Sequence, residues 1–562
     1  MSNKTLTLLM GFVAFLILAV GAVFLVVALG GGGDDDDSSE PASPGEEDTP
    51  GSGGSGEGST AAICQGDTLI VPGNEPLAPF DPILVGDEAT AEYVVEIFGG
   101  LVTLDTNLEV VADIAEDWEV SEDGLVYTFT LRDDVLFHDD QTRVTADHFK
   151  YSLERAADPA NASPTARAYL GRIEGFEEKL DGEADSVSGI NVIDERTLEI
   201  RLREPEAVFL EELTYPVAFV VNQDQVERDP RNWTRKPLGT GPFKVIEYTP
   251  AESIRLVANE RYHLGAPKLA EIDFELGGGS ISTRYQNDEI HIGFVPAQNL
   301  ADIQEGNSEF ADEYHPIPRM ATSYITLNSS QPPLDDPKVR QALAMSVDKA
   351  GINEVLLYGY YREADGFVPP DMPGYDESVT AYEYDVEAAK QLLSESKYAG
   401  NFPRIILTYG GSGGNSPETL VAIQDGWNAL GLDVQLQAVD AAALLREQRR
   451  GTFQALSEGW IADYPDPEDF IAKLFDSESP LNYTKYSNSE VDALIDEASE
   501  ETDLEARYEL FAEAEQIILD DAVTIPIFWP VDHTLIKSCV VGYPTVSMTV
   551  PKYRFVEIDP TK

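Results

Sequence analysis

The clearest indication of a fold class comes from residues 404–436, which read RIILTYGGSGGNSPETLVAIQDGWNALGLDVQL. Residues 404–408 and 432–436 are short apolar runs next to turn residues, which is typical of buried strands. Residues 418–430 between them have the apolar spacing of an amphipathic helix, and Ser416 followed by Pro417 is a favourable helix start. Two strands joined by a helix in this way form a βαβ crossover, so the chain is predicted to be α/β or α+β.

The same alternation continues on both sides of this unit. Residues 126–132 (VYTFTLR) predict a strand and residues 388–395 (AAKQLLSE) a helix. Nearer the C-terminus, residues 489–499 and 504–519 predict a pair of helices, and residues 524–529 (TIPIFW) are extended around a helix-breaking proline. The residues expected to be buried in the helical pair are Leu494, Ile495, Leu510, Phe511, Ile517 and Ile518.

Length and composition describe a large, folded and strongly anionic chain. Its 562 residues exceed the roughly 250–300 residues of a single core, so two or more lobes are expected. Hydrophobic residues at 43% and aromatic residues at 9% are sufficient to bury such cores. The formal net charge of −63 repels phosphate backbones and anionic lipid surfaces, so nucleic acid is not expected as a partner.

The N-terminus predicts a membrane anchor followed by a linker. Residues 6–29 carry no charge and are almost all apolar, and a helix of that length spans the roughly 30 Å hydrocarbon core of a bilayer. Lys4 precedes this segment and four aspartates follow it, so the bulk of the chain is expected outside the cytoplasm. We expect residues 1–33 to stay as an anchor, with a cleaved signal peptide as the alternative. Residues 34–60 predict a flexible acidic Gly/Ser/Pro linker.

The chain has two cysteines, Cys64 and Cys539, and both lie beyond the predicted anchor. In an oxidising compartment they are expected to form a disulfide that joins the two ends of the folded part, with two free thiols as the alternative. Residues 61–63 before Cys64 look faintly like a lipidation site. Because they lie far behind the apolar segment, lipidation is not expected.

The sequence offers no convincing catalytic or metal-binding motif. His138 and His148 lack the HExxH spacing of a zinc site, and the acids near them are typical of a solvated loop. Residues 410–414 lie where a phosphate-binding loop would, but no Lys-Ser/Thr pair closes the run, which leaves a turn able to offer amides to a ligand carboxylate. The same run matches G-x-S-x-G with Ser412 at its centre, yet the helix cap comes only at Ser416. We therefore predict no catalytic residue, metal or cofactor.

Residues 459–470 (GWIADYPDPEDF) combine aromatic, acidic and proline residues directly after the apparent strand 453–457. The prolines stiffen this loop. A carboxylate on Asp463 can pair with an ammonium group while Trp460 excludes water and adds cation–π attraction. Spacing alone leaves two alternatives, which are an acidic surface turn with a buried tryptophan and a pair of carboxylates for hydrolysis.

Seven stretches, taken in their order along the chain, connect it to a known family. They are residues 94–105 (VVEIFGGLVTLD), 115–132 (AEDWEVSEDGLVYTFTLR), 144–153 (VTADHFKYSL), 239–245 (GTGPFKV), 334–347 (LDDPKVRQALAMSV), 459–470 and 486–498 (YSNSEVDALIDEA). With them, nearly all of residues 66–556 resembles the extracellular solute-binding proteins of family 5. The best-known members of that family bind oligopeptides and dipeptides for ATP-binding-cassette importers.

The resemblance implies a fold, namely a two-lobed clamshell of the type II periplasmic-binding-protein class with an extra small inserted domain. The implied parts are lobe 1 (residues 66–318), the inserted domain within it (about 103–195), lobe 2 (319–528) and a C-terminal tail that returns to lobe 1 (529–562). The two hinge crossings would fall near residues 316–323 and 527–533.

The resemblance also implies a binding site. In oligopeptide-binding relatives the aspartate of a W-x-A-D-Y stretch receives the α-amino group of the peptide. Trp460, Ala462, Asp463 and Tyr464 match that stretch position for position. Asp463 would therefore bind the cation, with Trp460 and Tyr464 as walls beside it.

The function implied by the resemblance is capture of oligopeptides or dipeptides by hinge closure and their delivery to a membrane permease. The protein would be monomeric, anchored to the cell membrane by its N-terminal helix with the folded part on the extracytoplasmic side, and not an enzyme. Members of the family also bind nickel chelates, oligosaccharides, haem and opines, so another solute is one alternative. A ligand sensor for a membrane kinase is a second, and a peptidase or glycosidase using the acids of residues 463–469 is a third.

Overall fold

The computed structural model describes residues 62–410 and 414–562. The predicted anchor (residues 1–33), the predicted linker (34–60) and Ser412 lie outside the described residues. Among the helices of the described part, none is long and apolar enough to cross a membrane. Helices and strands alternate throughout this part of the chain, which confirms the predicted combination of α and β structure.

The strands are numbered in chain order. They are β1 (Thr68–Pro72), β2 (Val102–Leu104), β3 (Val110–Ala112), β4 (Ala115–Val120), β5 (Val126–Leu131), β6 (Ile190–Asp194), β7 (Thr197–Arg201), β8 (Phe243–Thr249), β9 (Ser253–Ala258), β10 (Glu271–Glu275), β11 (Ile292–Phe294), β12 (Tyr314–Pro318), β13 (Ala321–Leu327), β14 (Arg362–Glu363), β15 (Ile405–Tyr409), β16 (Val434–Ala438), β17 (Ala455–Ile461), β18 (Thr524–Trp529), β19 (Val531–Ile536), β20 (Val540–Val541) and β21 (Glu557–Ile558).

The α-helices are numbered in the same way. They are α1 (Glu88–Ile97), α2 (Ala146–Ala156), α3 (Ala166–Leu170), α4 (Phe176–Leu180), α5 (Phe209–Glu212), α6 (Gln223–Arg228), α7 (Ile281–Gln286), α8 (Leu300–Gln304), α9 (Pro337–Ala344), α10 (Lys349–Gly351), α11 (Val386–Glu395), α12 (Pro417–Ala429), α13 (Ala441–Arg450), α14 (Glu468–Phe475), α15 (Ser489–Glu500) and α16 (Leu504–Asp520).

A six-stranded mixed sheet with the order β14-β18-β13-β17-β15-β16 contains the predicted βαβ unit. β15 and β16 pair in parallel, and α12 connects them, which confirms that prediction. The Ser416 hydroxyl accepts a hydrogen bond from the Thr419 amide at 3.2 Å, and Pro417 occupies the first turn. The helix therefore begins with a side-chain cap and a residue whose φ angle already suits it.

The core beneath this sheet is built from the apolar faces of α9, α11 and α12. Trp427 of α12 is fully buried there, and its indole N–H donates to the Leu343 carbonyl at 3.1 Å, which satisfies the one polar atom of the side chain. Other fully buried members of this core are Ile325, Leu327, Val339, Leu407, Leu420 and Ile423.

The remaining strands form separate sheets. Two four-stranded sheets have the orders β1-β10-β9-β8 and β4-β5-β7-β6, and a three-stranded sheet has the order β11-β19-β12. The two shortest sheets are the pairs β2-β3 and β20-β21.

The chain passes between the three-stranded and six-stranded sheets twice. β12 and β13 belong to different sheets, and so do β18 and β19, so the passages occur at residues 319–320 and at Pro530. The Arg319 amide donates to the Pro530 carbonyl at 3.0 Å, which holds the two passages side by side.

Residues 489–520 form the predicted helical pair, α15 and α16. The expected apolar residues face one core, with Ile495, Phe511 and Ile518 buried and Leu494, Leu510 and Ile517 partly buried against it. The extended segment that follows is β18, also as predicted.

β17 runs further than the sequence predicts. The predicted strand ends at residue 457, whereas β17 continues to Ile461 because it pairs with β13 along its whole length. Trp460 therefore stands on a strand rather than in a loop, and the loop begins only at Ala462. Cross-strand pairing, which local sequence does not reveal, sets this boundary.

A disulfide joins Cys64 to Cys539, as predicted, with their Cα atoms 5.9 Å apart. The two residues are separated by 475 positions in the sequence. A cross-link that closes so long a loop restricts the unfolded chain and is worth about 2–4 kcal/mol.

Candidate functional site

A cavity of about 410 Å³ lies beside the two passages, since Arg319 and Pro530 both line it. Other parts of its wall come from the start of α1, from α13 and from β17 with the residues after it. Its volume falls within the range of small-ligand sites. Asp463 and Trp460, two of the residues selected from the sequence, both line this cavity.

The Asp463 carboxylate meets a hydroxyl group from a distant part of the chain. Its Oδ2 accepts a hydrogen bond from the Tyr169 hydroxyl, which also lines the cavity. The Tyr169 ring stacks on that of Tyr215 with the centroids 4.2 Å apart, which fixes the hydroxyl in place. Tyr169 lies 294 positions from Asp463 in the sequence, so a distant part of the chain holds the Asp463 carboxylate in place.

Asp469 positions the loop that carries Asp463. Its Oδ2 accepts both the Asp463 amide at 2.9 Å and the Trp460 indole N–H at 3.0 Å. Asp469 is fully buried, so these two bonds are made in a low-dielectric setting where they are strong. They fix the cavity aspartate and the cavity tryptophan relative to each other.

Burial raises the pKa of the Asp463 carboxyl group above its ordinary value, although the Tyr169 hydroxyl and the charge of Lys473 partly offset the shift. Burial and the neighbouring charge of Asp463 raise the pKa of Asp469 as well. Lys473 does not neutralise this pair, because its ammonium group forms ion pairs with Glu212 and Glu468. Asp463 is therefore a carboxyl group in the cavity wall whose side-chain hydrogen-bond donor, the Tyr169 hydroxyl, is uncharged.

Trp460 and Tyr464 differ in where they lie. Trp460 is partly exposed and lines the cavity. Tyr464 is fully buried in the hydrophobic core and is not among the described residues that line the cavity. Its expected position as a cavity wall does not match the structure, because the backbone turns inward after Asp463 and directs the next side chain into the core.

The other two acids of residues 459–470 are tied to a base. The Arg507 guanidinium binds Asp466 at 2.5 Å and Glu468 at 2.6 Å, and all three side chains are buried. This triad holds the start of α14 against α16. The four acids of residues 459–470 thus have different environments. The hypothesis of two paired carboxylates for hydrolysis does not account for this difference.

The wall residues that the sequence did not indicate include Tyr169, Arg319 and Glu458. Arg319 forms ion pairs with Glu88 and, at 2.8 Å, with Asp532. Glu458 precedes Trp460 by two positions on β17, and side chains two positions apart on a strand lie on the same face. The sequence did not reveal this relation, because the predicted strand ends at residue 457. Nothing in the local sequence marks Tyr169.

The remaining motifs are accounted for as follows. His138 is buried with its Nε2 at 3.0 Å from the Gly241 carbonyl oxygen, and His148 caps α2 through Thr145. Gly410 and Gly414 line the cavity, while residues 411–413 between them are not described. Residues 62–410 and 414–562 contain no group of His, Cys, Asp and Glu side chains arranged to hold a metal ion.

Comparison with known proteins identifies what the chain is similar to. The model of the bacterial extracellular solute-binding proteins, family 5 (middle region) matches residues 109–481. The probable deoxycholate-binding periplasmic protein YgiS of Escherichia coli is 30% identical over 502 residues, covering 84% of this chain and 92% of that protein. The dipeptide-binding protein of the same organism is 29% identical over 506 residues, covering 86% and 93%.

Solved structures agree with these matches. The murein tripeptide binding protein MppA of Escherichia coli superposes with a TM-score of 0.79 at 27% identity, over 88% of this chain and 99% of that one. Its unliganded open form covers 88% and 98% at the same 27% identity, with a lower TM-score of 0.64.

Proposed function

The chain belongs to the bacterial extracellular solute-binding proteins of family 5, and we propose that it is the extracytoplasmic substrate-binding component of a peptide importer. It captures oligopeptides or dipeptides and delivers them to the membrane permease of an ATP-binding-cassette transporter. The dipeptide-binding relative and the tripeptide-binding structural neighbour support this ligand class.

One observation carries the proposal. The half-buried Asp463 carboxyl group lines the cavity, while the basic group whose charge acts on it, Lys473, forms ion pairs with Glu212 and Glu468. Leaving a buried carboxylate without a cation is costly, and an α-ammonium group would supply the missing partner through charge-assisted hydrogen bonds. Trp460 beside it excludes water and offers its ring to the cation. Asp463 is the proposed anchor for the peptide N-terminus.

Capture would occur by hinge closure between lobe 1 (residues 66–318, with an inserted domain at about 103–195) and lobe 2 (319–528), the tail 529–562 returning to lobe 1. The two passages at residues 319–320 and Pro530 lie side by side, as the strands of a hinge would. The Tyr169–Asp463 and Glu212–Lys473 contacts join the two proposed lobes across the cavity. The lower similarity to an open, unliganded relative also favours a closed arrangement.

The N-terminal residues would keep the binding protein at its permease. Residues 1–33 would form an uncleaved single-pass anchor and residues 34–60 a flexible acidic tether, placing a monomeric folded part on the extracytoplasmic side. Ligand is bound and released without chemical change in this scheme.

The deoxycholate-binding relative supports a second candidate, an amphipathic ligand held by the apolar part of the cavity wall. The charges disfavour it for a ligand with an anionic group. The cavity is lined by Asp87, Glu88, Glu458, Asp463 and Asp532, against the bases Arg319 and Arg449. Because acids outnumber bases, a cationic group is the better partner.

Native mass spectrometry of the gently purified chain tests the proposal. Peptides should copurify with the parent protein and be lost from Asp463→Asn, which keeps the shape of the side chain and removes its charge. Asp433→Asn, a change at an exposed residue outside the cavity, serves as the control and should retain them. A parent that carries a bile acid, sugar, chelate or opine unaffected by Asp463→Asn would refute peptide binding. Peptides cleaved during prolonged incubation would refute binding without catalysis.

A further inference from the structure

A second carboxyl group in the cavity wall, that of Glu458, lacks a complete set of partners. It lies on β17, and only 6% of the residue is exposed. Its Oε2 accepts a hydrogen bond from the Gln448 side-chain amide at 2.5 Å. Its Oε1 is buried and has no hydrogen-bond partner within residues 62–410 and 414–562. A buried oxygen without a donor is an exception in folded proteins, and a donor from a ligand would satisfy it.

No base in the described part of the chain forms an ion pair with this carboxyl group. Burial raises the pKa of Glu458 to about 7, and hydrogen bonds with the uncharged side chains of Thr326 and Gln448 oppose the shift. Arg449 lines the same cavity, but its charge lowers the pKa of a different acid, Asp87. Tyr324 and Tyr483 are near enough for the charge of Glu458 to act on them, and both line the cavity. These two rings form apolar sides for a cation that reaches the carboxylate.

Glu458 and Asp463 lie along one edge of the cavity, on β17 and just after it. They are five positions apart in the chain, and because β17 ends at Ile461 their separation is at most about 17 Å, the length of five fully extended residues. An extended peptide that starts at Asp463 would cover that distance with about the same number of residues, and fewer if a long side chain reaches ahead. A ligand bound by its N-terminus at Asp463 would therefore bring a later side chain to Glu458.

Resting on the proposed peptide-binding function, we propose that Glu458 forms a second cation-binding subsite, which selects peptides carrying a lysine or arginine side chain two to four residues after the N-terminus. An ammonium or guanidinium group can donate to the unpartnered Oε1, whereas an apolar side chain leaves it unsatisfied. The net charge of −63 also steers cationic peptides towards the protein.

The test measures affinity by isothermal titration calorimetry for penta-alanine and for penta-alanine peptides with lysine at positions 3 to 5. Norleucine peptides of the same length are the matched control, because norleucine has the straight aliphatic stem of lysine without the ammonium group. In the parent protein, lysine should bind at least about tenfold more tightly than norleucine at one position. Glu458→Gln, which is close in shape, should abolish that preference, so that the lysine and norleucine peptides bind with equal affinity at every position.

Glu515→Gln provides the matched control variant. Glu515 is also buried, and burial raises its pKa to about 7, but its carboxylate accepts the Phe367 and Val368 amides outside the cavity. It should keep the lysine preference, and thermal unfolding should show both variants folded.

The outcomes separate the two proposals. If penta-alanine binds but lysine and norleucine peptides bind equally at every position, the Glu458 subsite is wrong while peptide binding stands. Survival of the lysine preference in Glu458→Gln also overturns the subsite. If no peptide binds the folded parent, the proposed function fails, and the subsite that rests on it fails too.

Discussion

Three of the four acids of residues 459–470 look alike in sequence and differ in whether a base pairs with them. Asp466 and Glu468 are buried against Arg507 and hold α14 to α16. Asp463 lies at the cavity, where the uncharged Tyr169 hydroxyl donates a hydrogen bond to it. A basic partner thus distinguishes Asp466 and Glu468, which hold two helices together, from Asp463, the acid proposed to bind the ligand.

The physical reason is the cost of a buried charge. A carboxylate removed from water must recover several kcal/mol of lost hydration, and a guanidinium with two good hydrogen bonds provides much of it. Asp466 and Glu468 recover it within the protein. Asp463 and Glu458 recover only part, and the remainder is available to a cationic ligand.

The largest expected effect follows from removing Arg507. Arg507→Met would leave two buried carboxylates without a cation, so the free energy of unfolding should fall by about 3–5 kcal/mol. Urea unfolding followed by circular dichroism measures this change. A loss below about 1 kcal/mol would show that the triad is not structural and would remove the contrast with Asp463.

Substituting one acid from each group gives the next largest effect. Asp463→Asn should weaken penta-alanine binding by about 100-fold or more, because the ligand ammonium group loses its charged partner. The free energy of unfolding should change by less than about 0.5 kcal/mol, because the substitution breaks no ion pair within the protein. Asp466→Asn should do the reverse, lowering stability and preserving affinity. Calorimetric binding and urea unfolding on both variants test the pair. If the two variants lose affinity equally, the loop acids act as one unit and the two groups do not exist.

The local parts of the fold could be predicted from the sequence, because they depend on periodicity. The βαβ unit at residues 404–436 and the helical pair α15–α16 follow from apolar spacing and caps that neighbouring residues supply. The end of β17 could not be predicted, because pairing with β13, more than 100 positions earlier in the chain, sets it.

The site could be predicted only where one loop contains it. Trp460 and Asp463 were selected from a single motif, and both face the cavity. Tyr464, in the same motif, is buried, since the direction of a side chain after a strand depends on the core behind it. Tyr169 and the environment of Glu458 depend on contacts between distant segments, which no local pattern carries.

Lowering the pH should weaken binding at Asp463. Burial raises the pKa of the unliganded carboxyl group, and a bound ammonium group favours the ionised form and lowers it. Affinity is therefore complete above the raised pKa and is lost as the pH falls through it, by up to about tenfold per pH unit. The groups facing Asp463 are Tyr169, Asp469, Lys473 and Glu88, of which only Lys473 favours ionisation by its charge.

Titration calorimetry with penta-alanine from about pH 7.5 to about pH 5 measures this loss, within the range where the ligand α-amino group is largely protonated. Penta-alanine has no basic side chain, so Glu458 does not contribute. Asp463→Asn should remove the dependence. Affinity that stays constant down to about pH 5, still above the ordinary pKa range of an aspartate, would contradict the raised pKa.

The smallest effect is expected at an exposed ion pair, which completes the contrast with Arg507. Arg404 binds Asp433 at 2.8 Å, a distance similar to those in the Arg507 triad, but the two side chains are 57% and 62% exposed. Water solvates both charges whether or not they pair, so Arg404→Met should lower the free energy of unfolding by less than about 1 kcal/mol. Added salt should reduce even that, because screening acts on exposed charges and hardly on buried ones. Urea unfolding of Arg404→Met and Arg507→Met at low and high salt tests both points.

The contradicting outcome is a loss of stability at Arg404 as large as that at Arg507. Ion pairing itself, and not the burial of the partner acids, would then determine stability. The absence of an ion pair at Asp463 would need a different explanation.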